Sequence, residues 1–316
     1  MKPKTLAITG VSGYFGRVLM PLLEEDDEIK KIIGIDLQPP VELSGWKKLE
    51  FHRLDIREPE LEQVIGGVDA LVHLAFILMR RPKDNEIDDV NIRGTQQVIQ
   101  MAGLLGIPKL IITSSIVAYG LHEDNPIPLT EETPLRPNPN LFYSYAKAMN
   151  EKFLDQFCQE HKEMIVTRLR PPTIVGPNAV QELMAQVVAD VIPVIRGYDP
   201  LIQLLHEDDL AQALYMVICE DMPGIYNVTS DEPRSMRQLA QSRNARVLPL
   251  PGVIIRALST AIWRLGLTPF SPEFIDLLSR YPIIASNEKI KARGWKPKFT
   301  TPEAYLSVLA AFGKKR

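Results

Sequence analysis

Short runs of uninterrupted apolar residues alternate along the first half of the chain with longer stretches whose apolar positions recur every three or four residues. Leu6-Ala7-Ile8 is the first such run, and Phe15, Val18, Leu19, Leu22 and Leu23 then mark one face of a helix. Residues 32–35 read as a second buried strand, 51–54 as a weaker third and 70–75 as a fourth. A long helix is predicted over 88–105, a fifth strand over 110–113, a helix over 143–160 and a sixth strand over 165–169. Strands rich in Val, Ile and Leu and separated by helices predict an α/β fold, a doubly wound parallel sheet covered on both faces.

After Arg170 the alternation breaks. Pro171, Pro172, Pro177 and Pro193 punctuate a segment with one clear helix, around 180–188. The strand–helix–strand pattern then returns near 203–205, 208–219 and 225–228, and from Pro233 onward the chain is proline-rich and predicted mostly helical. The expected organisation is a cofactor domain over 1–170, with 201–230 returning to it. A smaller, mostly helical substrate lobe is expected from 171–200 and 231–316.

Composition narrows the class. The 316 residues suffice for a well-buried core, and 45% hydrophobic with 24% charged residues is ordinary for a soluble globular enzyme. A formal net charge of −3 gives no overall footprint for nucleic acid or anionic lipid. Cys158 and Cys219 both fall in apolar helical stretches, which predicts buried, reduced thiols; no Cys/His cluster has metal-ligand spacing, so no metal is expected. The N-terminus runs straight into a strand without signal-peptide features. Residues 253–267 are too short, and too interrupted by Arg256 and Arg264, to form a membrane span. A cytoplasmic protein is the expectation.

Gly10-Val11-Ser12-Gly13-Tyr14-Phe15-Gly16 spaces three glycines as GxxGxxG between a strand and a helix. Gly10 permits the turn, Gly13 lets backbone approach a pyrophosphate, and Gly16 allows close helix–strand packing beneath an anion at the helix N-terminus. Asp36 ends the second strand 20 residues after Gly16, where an acid binds ribose hydroxyls and repels a 2′-phosphate. No basic residue directly follows it. The reading is NAD rather than NADP.

Tyr143 and Lys147 are four apart and share a helix face, so the lysine favours the phenolate of a general acid/base. Tyr145, two from Lys147, points elsewhere. Thr113-Ser114-Ser115 ends the fifth strand at the sheet edge where open parallel sheets bind ligands; a serine there either bonds a substrate oxygen or simply caps the strand.

With these features in place, the chain resembles the extended short-chain dehydrogenase/reductase family, the NAD-dependent epimerase/dehydratase group. Besides the glycine turn and Asp36, the resemblance rests on Leu54-Asp55-Ile56-Arg57, Val72-His73-Leu74-Ala75 and Val90-Asn91-Ile92-Arg93-Gly94-Thr95. It extends through the serine strand ending in Tyr119-Gly120, the YxxxK helix, Leu169-Arg170-Pro171, Gly176-Pro177 and Leu205-His206-Glu207-Asp208-Asp209. Gly224-Ile225-Tyr226-Asn227-Val228 and Gly294-Trp295-Lys296-Pro297 complete it. It implies a Rossmann-like fold, NAD as cofactor, and a catalytic set of Ser115, Tyr143 and Lys147, with Lys147 also holding the nicotinamide ribose. It places Gly10, Gly13, Tyr14, Phe15 and Gly16 at the cofactor turn, Asp55 and Ile56 at the adenine, and Leu74 and Ala75 beside the pyrophosphate and ribose. Asn91 becomes a structural support, His73 a satisfied strand residue, and His206 with Asp208 a helix cap made through Asp208.

The reaction implied is hydride transfer between a secondary alcohol and a ketone. Ser115 is followed by Ile116 and Val117 where related dehydratases carry Asp and Glu, which disfavours dehydration. Thr173 stands where nucleotide-sugar epimerases commonly place asparagine, and it is the candidate substrate residue. Nucleotide-sugar epimerisation remains the enzymatic alternative, kept open by Arg196, Arg234 and Arg237, and a non-catalytic NAD sensor or scaffold is the other. The apolar residues of 253–267 are expected to pack against the second lobe, with a lid or an interfacial helix as the sharper reading. The resemblance also implies a homodimer through Leu104, Leu105, Met149, Phe153 and Phe157.

Overall fold

A computed structural model describes all residues except 1, 42–44, 80–85, 180–187, 269, 274–280 and 313–316. The six apolar runs of the first half become β1 (Thr5–Thr9), β2 (Lys31–Asp36), β3 (Leu49–Arg53), β4 (Ala70–His73), β5 (Lys109–Thr113) and β6 (Ile165–Arg170). Later strands are β7 (Thr173–Val175), β8 (Val191–Ile195), β9 (Leu201–Ile202), β10 (Leu204–His206), β11 (Gly224–Asn227), β12 (Arg234–Ser235) and β13 (Arg246–Leu250). Seven of these form one sheet in the order β11-β6-β5-β4-β1-β2-β3, with every pairing parallel.

This is a Rossmann-like sheet, and its strand order reverses between β1 and β4, where Leu6 lies between Ile32 and Ala70. Helices cover both faces. On one side α1 (Tyr14–Glu25) packs with the helix over Glu207–Cys219, burying Leu19, Leu23, Leu210 and Leu214. On the other side lie α2 (Leu61–Ile65), α3 (Thr95–Leu104) and α4 (Phe142–Glu160), which bury Leu61, Val98, Leu154 and Phe157. Double coverage explains why β5 is buried at every position. Of the residues expected at a dimer interface, Phe157 belongs to this core, whereas Leu104 is 87% exposed.

The predicted helix over 88–105 is not uniform. It opens with a π-helical turn, Asp89–Gly94, before α3 begins. The wide turn presents Asn91 to Ile77, whose backbone N–H it receives at 2.8 Å and whose carbonyl it donates to at 2.9 Å.

The chain beyond β6 builds the second lobe from small sheets, β10 with β7, β12 with β9 and β13 with β8. Label α5 is given to Glu207–Cys219, α6 to Met236–Gln241, α7 to Gly252–Arg264, α8 to Glu288–Lys291 and α9 to Thr301–Phe312. A third apolar cluster, including Val175, Leu204, Tyr305 and Val308, holds this lobe together. Ser235 and Gln238 close a reciprocal capping box on α6. The stretch after Pro233 is thus less helical than expected, because it supplies β12 and β13. The helix expected around 180–188 falls almost wholly outside the described residues.

The helix expected over 253–267 packs against the second lobe at β8, but not through the apolar stripe. No residue of α7 is buried. Its half-buried positions are Ile255, Ser259, Thr260 and Trp263, while Ile254, Leu258 and Ile262 are exposed. The physical reason is rotation about the helix axis: the line bearing Ser259 and Thr260 is turned toward the body. Among the described residues no helix is long and apolar enough to cross a membrane.

Candidate active site

The turn after β1 is built from positions that exclude a side chain. At Gly10 φ is +74°, and a Cβ would lie 2.6 Å from the backbone nitrogen of Ala75 at the end of β4. At Gly16 a Cβ would lie 2.2 Å from the Val11 carbonyl, so only glycine lets α1 sit this close to the turn. Gly13 is the N-cap of α1 and offers no side chain to the amides of the first turn. The helix start therefore opens onto a groove of about 770 Å³, lined by Gly10, Gly13, Asp36, Asp55, Ile56, Leu74, Ala75 and Phe76 among others.

Asp36 stands at the far wall. One carboxylate oxygen accepts the Ser12 N–H at 3.0 Å and the other the Leu37 N–H at 2.7 Å. Asp55 is engaged by Arg57 at 2.8 Å, and this hydrogen bond holds its carboxyl below the usual range. Tyr14 and Phe15 do not line the groove. The Tyr14 hydroxyl donates to Glu207 at 2.5 Å, linking the turn to α5, and its ring packs against Phe15 at 5.6 Å. A bare-backbone cradle, a helix N-terminus and a carboxylate along one elongated groove fit a dinucleotide.

Beyond the groove, β5 delivers Ser115 and α4 delivers Tyr143 and Lys147. Ser115 is the N-cap of a short 3₁₀ turn, Ile116–Tyr119. Its hydroxyl accepts the Val117 N–H at 3.2 Å and donates to the Pro171 carbonyl at 3.2 Å. The cap is therefore on this turn, not on the strand. Burial pushes the Tyr143 phenol above its ordinary pKa, and a hydrogen bond with Ser115 offsets part of that rise. Lys147 is buried, and its ammonium donates to the Thr113 carbonyl at 2.9 Å. Burial pushes it down to about 7, partly opposed by the Glu151 carboxylate.

The expected lowering of the phenol by Lys147 is not what this geometry produces. The ammonium lies 6.0 Å from the Tyr143 ring centroid and 3.7 Å from that of Phe76. Phe76 meets Tyr143 edge-on, with centroids 5.5 Å apart at 78°. Phe76 was not singled out from the sequence, although it directly follows Ala75 at the carboxyl end of β4. Its ring now supports both the phenol and the ammonium.

A second missed element lies behind Lys147. Glu151, 1% exposed, accepts from Arg170 Nε at 2.7 Å and Nη2 at 2.8 Å, and from Arg168 at 3.4 Å. Arg170 also donates to the Tyr119 hydroxyl at 2.7 Å, which donates in turn to Asn227 at 2.9 Å. Burial alone raises the Glu151 carboxyl, but the two guanidinium groups outweigh it and hold it below the usual range. The available signal was its position, one helical turn after Lys147.

Thr173 opens β7 opposite Leu204, half-buried, two residues past the Pro171 carbonyl that receives the Ser115 hydrogen bond. His206 corrects the expected cap on α5: its own Nδ1 accepts the Asp208 N–H at 3.2 Å, so the histidine rather than Asp208 is the cap. Cys158 and Cys219 are free thiols and only half-buried. Among the described residues no His, Cys, Asp and Glu grouping is arranged to hold a metal.

His73 is satisfied on both ring nitrogens, by Thr9 at 2.7 Å and Thr95 at 3.0 Å, and burial lowers it from 6.5 to about 3. Between those values the unfolded chain binds a proton that the folded chain refuses. Stability therefore falls with falling pH, by up to about 1.4 kcal/mol per pH unit from this group. Denaturation of His73→Gln between about pH 7 and about pH 5 is expected to show a shallower fall than the unaltered chain. Equal slopes would contradict the assignment.

Comparison with known proteins gives the family and the fold. The NAD dependent epimerase/dehydratase family profile matches residues 6–229. An uncharacterized protein of Mycobacterium tuberculosis is 25% identical over 310 residues, covering 96% of this chain and 82% of that protein. A 3 beta-hydroxysteroid dehydrogenase/Delta 5-->4-isomerase of Monkeypox virus is 30% identical over 180 residues, covering 54% of this chain and 52% of that protein. Among solved structures, dTDP-glucose 4,6-dehydratase from Bacillus anthracis in complex with NAD superposes with a TM-score of 0.77. Identity there is 19%, with 99% of this chain and 97% of that chain covered.

Proposed function

The chain belongs to the NAD-dependent epimerase/dehydratase family and is an NAD-dependent enzyme, and from that premise we propose that it interconverts a secondary alcohol and a ketone. The observation that carries the reading is the hydrogen-bonded Ser115–Tyr143 pair, backed by buried Lys147, at the end of the sheet beside the glycine groove. The relative named 3 beta-hydroxysteroid dehydrogenase supports an alcohol/ketone couple on an apolar substrate.

Gly10 and Gly13 cradle the pyrophosphate at the start of α1, Gly16 lets that helix sit close to the turn, and Leu74 and Ala75 form the opposite wall. Asp36 receives the adenosine ribose hydroxyls, while Asp55 and Ile56 border the adenine. Bound NAD supplies the hydride acceptor. Ser115 orients the substrate oxygen, and the Tyr143 phenolate removes its proton as the carbonyl forms; the reverse step returns that proton. Lys147 holds the nicotinamide ribose and, through Phe76, helps to fix the Tyr143 ring. The lobe formed by 171–200 and 231–316 holds the substrate, with Thr173 as a contact residue.

A second reading, nucleotide-sugar epimerisation, is favoured by the family. Ile116 and Val117 after Ser115 weigh against dehydration, and Thr173 weighs against a diphosphate contact. A purely NAD-sensing role leaves the serine, tyrosine and lysine without a use. The test is incubation of the purified chain with NAD and either apolar secondary alcohols or nucleotide sugars. NADH accumulation with an alcohol is expected; a converted nucleotide sugar with no net NADH would establish the second reading.

Asp36→Ala is expected to weaken NAD binding about tenfold and to narrow its margin over NADP, as read by titration calorimetry. NADP binding to the unaltered chain as tightly as NAD would remove this role from Asp36.

A further inference from the structure

The short turn that starts at Ser115 is tied down at both ends by Arg170-Pro171, where β6 ends. At its start, the Pro171 carbonyl accepts the Ser115 hydroxyl at 3.2 Å and the Ile116 N–H at 3.0 Å. At its end, the buried Tyr119 hydroxyl accepts from Arg170 Nη1 at 2.7 Å and donates to Asn227 Oδ1 at 2.9 Å. Arg170 and Asn227 stand opposite each other in the β6–β11 register, so the phenol bridges two neighbouring strands. Between the ends, the Ser144 hydroxyl on α4 donates to the Val117 carbonyl at 2.8 Å, and Glu151 on the same helix holds Arg170. The turn, α4 and β6 thus close a hydrogen-bonded ring whose members are all buried.

The Ser115 hydroxyl itself is held loosely. Its two hydrogen bonds are both 3.2 Å, at or beyond the long end of the usual range, whereas those of Tyr119 are of ordinary length. Where that hydroxyl sits is therefore set by the backbone of the turn. The turn leaves little slack: the Ala118 N–H returns to the Ser115 carbonyl and the Gly120 N–H to the Val117 carbonyl, both at 3.0 Å. A displacement at Tyr119 thus carries to Ser115. Tyr119 does not line the cofactor groove.

We propose that Tyr119 is a positioning residue, holding the turn so that the Ser115 hydroxyl meets the substrate oxygen. This rests on the reading of Ser115 and Tyr143 as the pair that handles that oxygen and its proton.

Tyr119→Phe removes the hydroxyl and keeps the ring. With the compound that the purified chain converts fastest in the presence of NAD, kcat is expected to fall about tenfold while NAD affinity holds. In a Ser115→Ala background the same change is expected to cost less than about twofold, because the group that it positions is gone. A purely structural tyrosine would cost the same factor in both backgrounds, and that result would overturn the proposal. So would an undiminished kcat in Tyr119→Phe, or a matching loss of NAD affinity. Asn227→Ala leaves the Arg170 bond to the phenol and is expected to cost about threefold, again only where Ser115 is present. It gives the decisive comparison should Tyr119→Phe fail to fold, and equal factors there would overturn the proposal too. Ser115→Ala alone separates the two claims. Turnover equal to that of the unaltered chain would defeat the reading of the pair itself; low turnover, with equal Tyr119→Phe losses in both backgrounds, would defeat only the role of Tyr119.

Discussion

Tyr143→Phe is expected to lower kcat by about a thousandfold while NAD affinity stays nearly unchanged. The substitution removes one oxygen and keeps the ring that meets Phe76 edge-on at 78°. Folded stability should drop by only about 1 kcal/mol, the typical worth of the lost hydrogen bond with Ser115. A structural tyrosine would show the reverse pattern, with turnover preserved and stability reduced. The split between kcat, NAD affinity and thermal midpoint therefore distinguishes proton transfer from packing. Turnover unchanged in the variant would sink the assignment.

Glu151→Ala is expected to cost about 3–5 kcal/mol of folding stability, a large part of the roughly 5–15 kcal/mol available to an ordinary domain. The carboxylate is 1% exposed and compensates Arg170 directly and Arg168 in part. Arg168 keeps Asp155 at 2.5 Å, but Arg170 would retain only the Tyr119 hydroxyl as a hydrogen-bond partner in this cluster. The cost arises mainly from the buried guanidinium left behind. Glu151→Gln, which keeps the volume and one acceptor, should lose less. Urea denaturation measures both; a loss below about 1 kcal/mol for the alanine variant would mean that Arg170 is solvated or otherwise paired. Because Glu151 lies on α4, the same change should also loosen the helix that carries Tyr143 and Lys147.

The sheet was legible because its strands are buried on both faces and so read as continuous apolar runs. The turn was legible because Gly10 and Gly16 are positions where backbone atoms approach within 2.6 and 2.2 Å of a virtual Cβ, a demand that leaves a glycine in the sequence. Asp36, Tyr143 and Lys147 were singled out by spacing, since one strand end and one helical turn fix their separations locally. Phe76 and Glu151 were missed because their meaning is tertiary. A phenylalanine after a strand and a glutamate in a helix are unremarkable until Lys147 and Arg170 pack against them. Helix α7 was misread for a related reason: periodicity reveals an apolar stripe but not which way the helix is turned.

The central claim is that hydride moves between a secondary alcohol and NAD, with Tyr143 exchanging the proton. Its most direct test uses the compound that the purified chain converts fastest in the presence of NAD, deuterated at its carbinol carbon. The account predicts that the released NADH carries the deuterium and that the product is the ketone. Deuterium retained in a product of inverted configuration, with no net NADH formed, would contradict it and establish epimerisation instead.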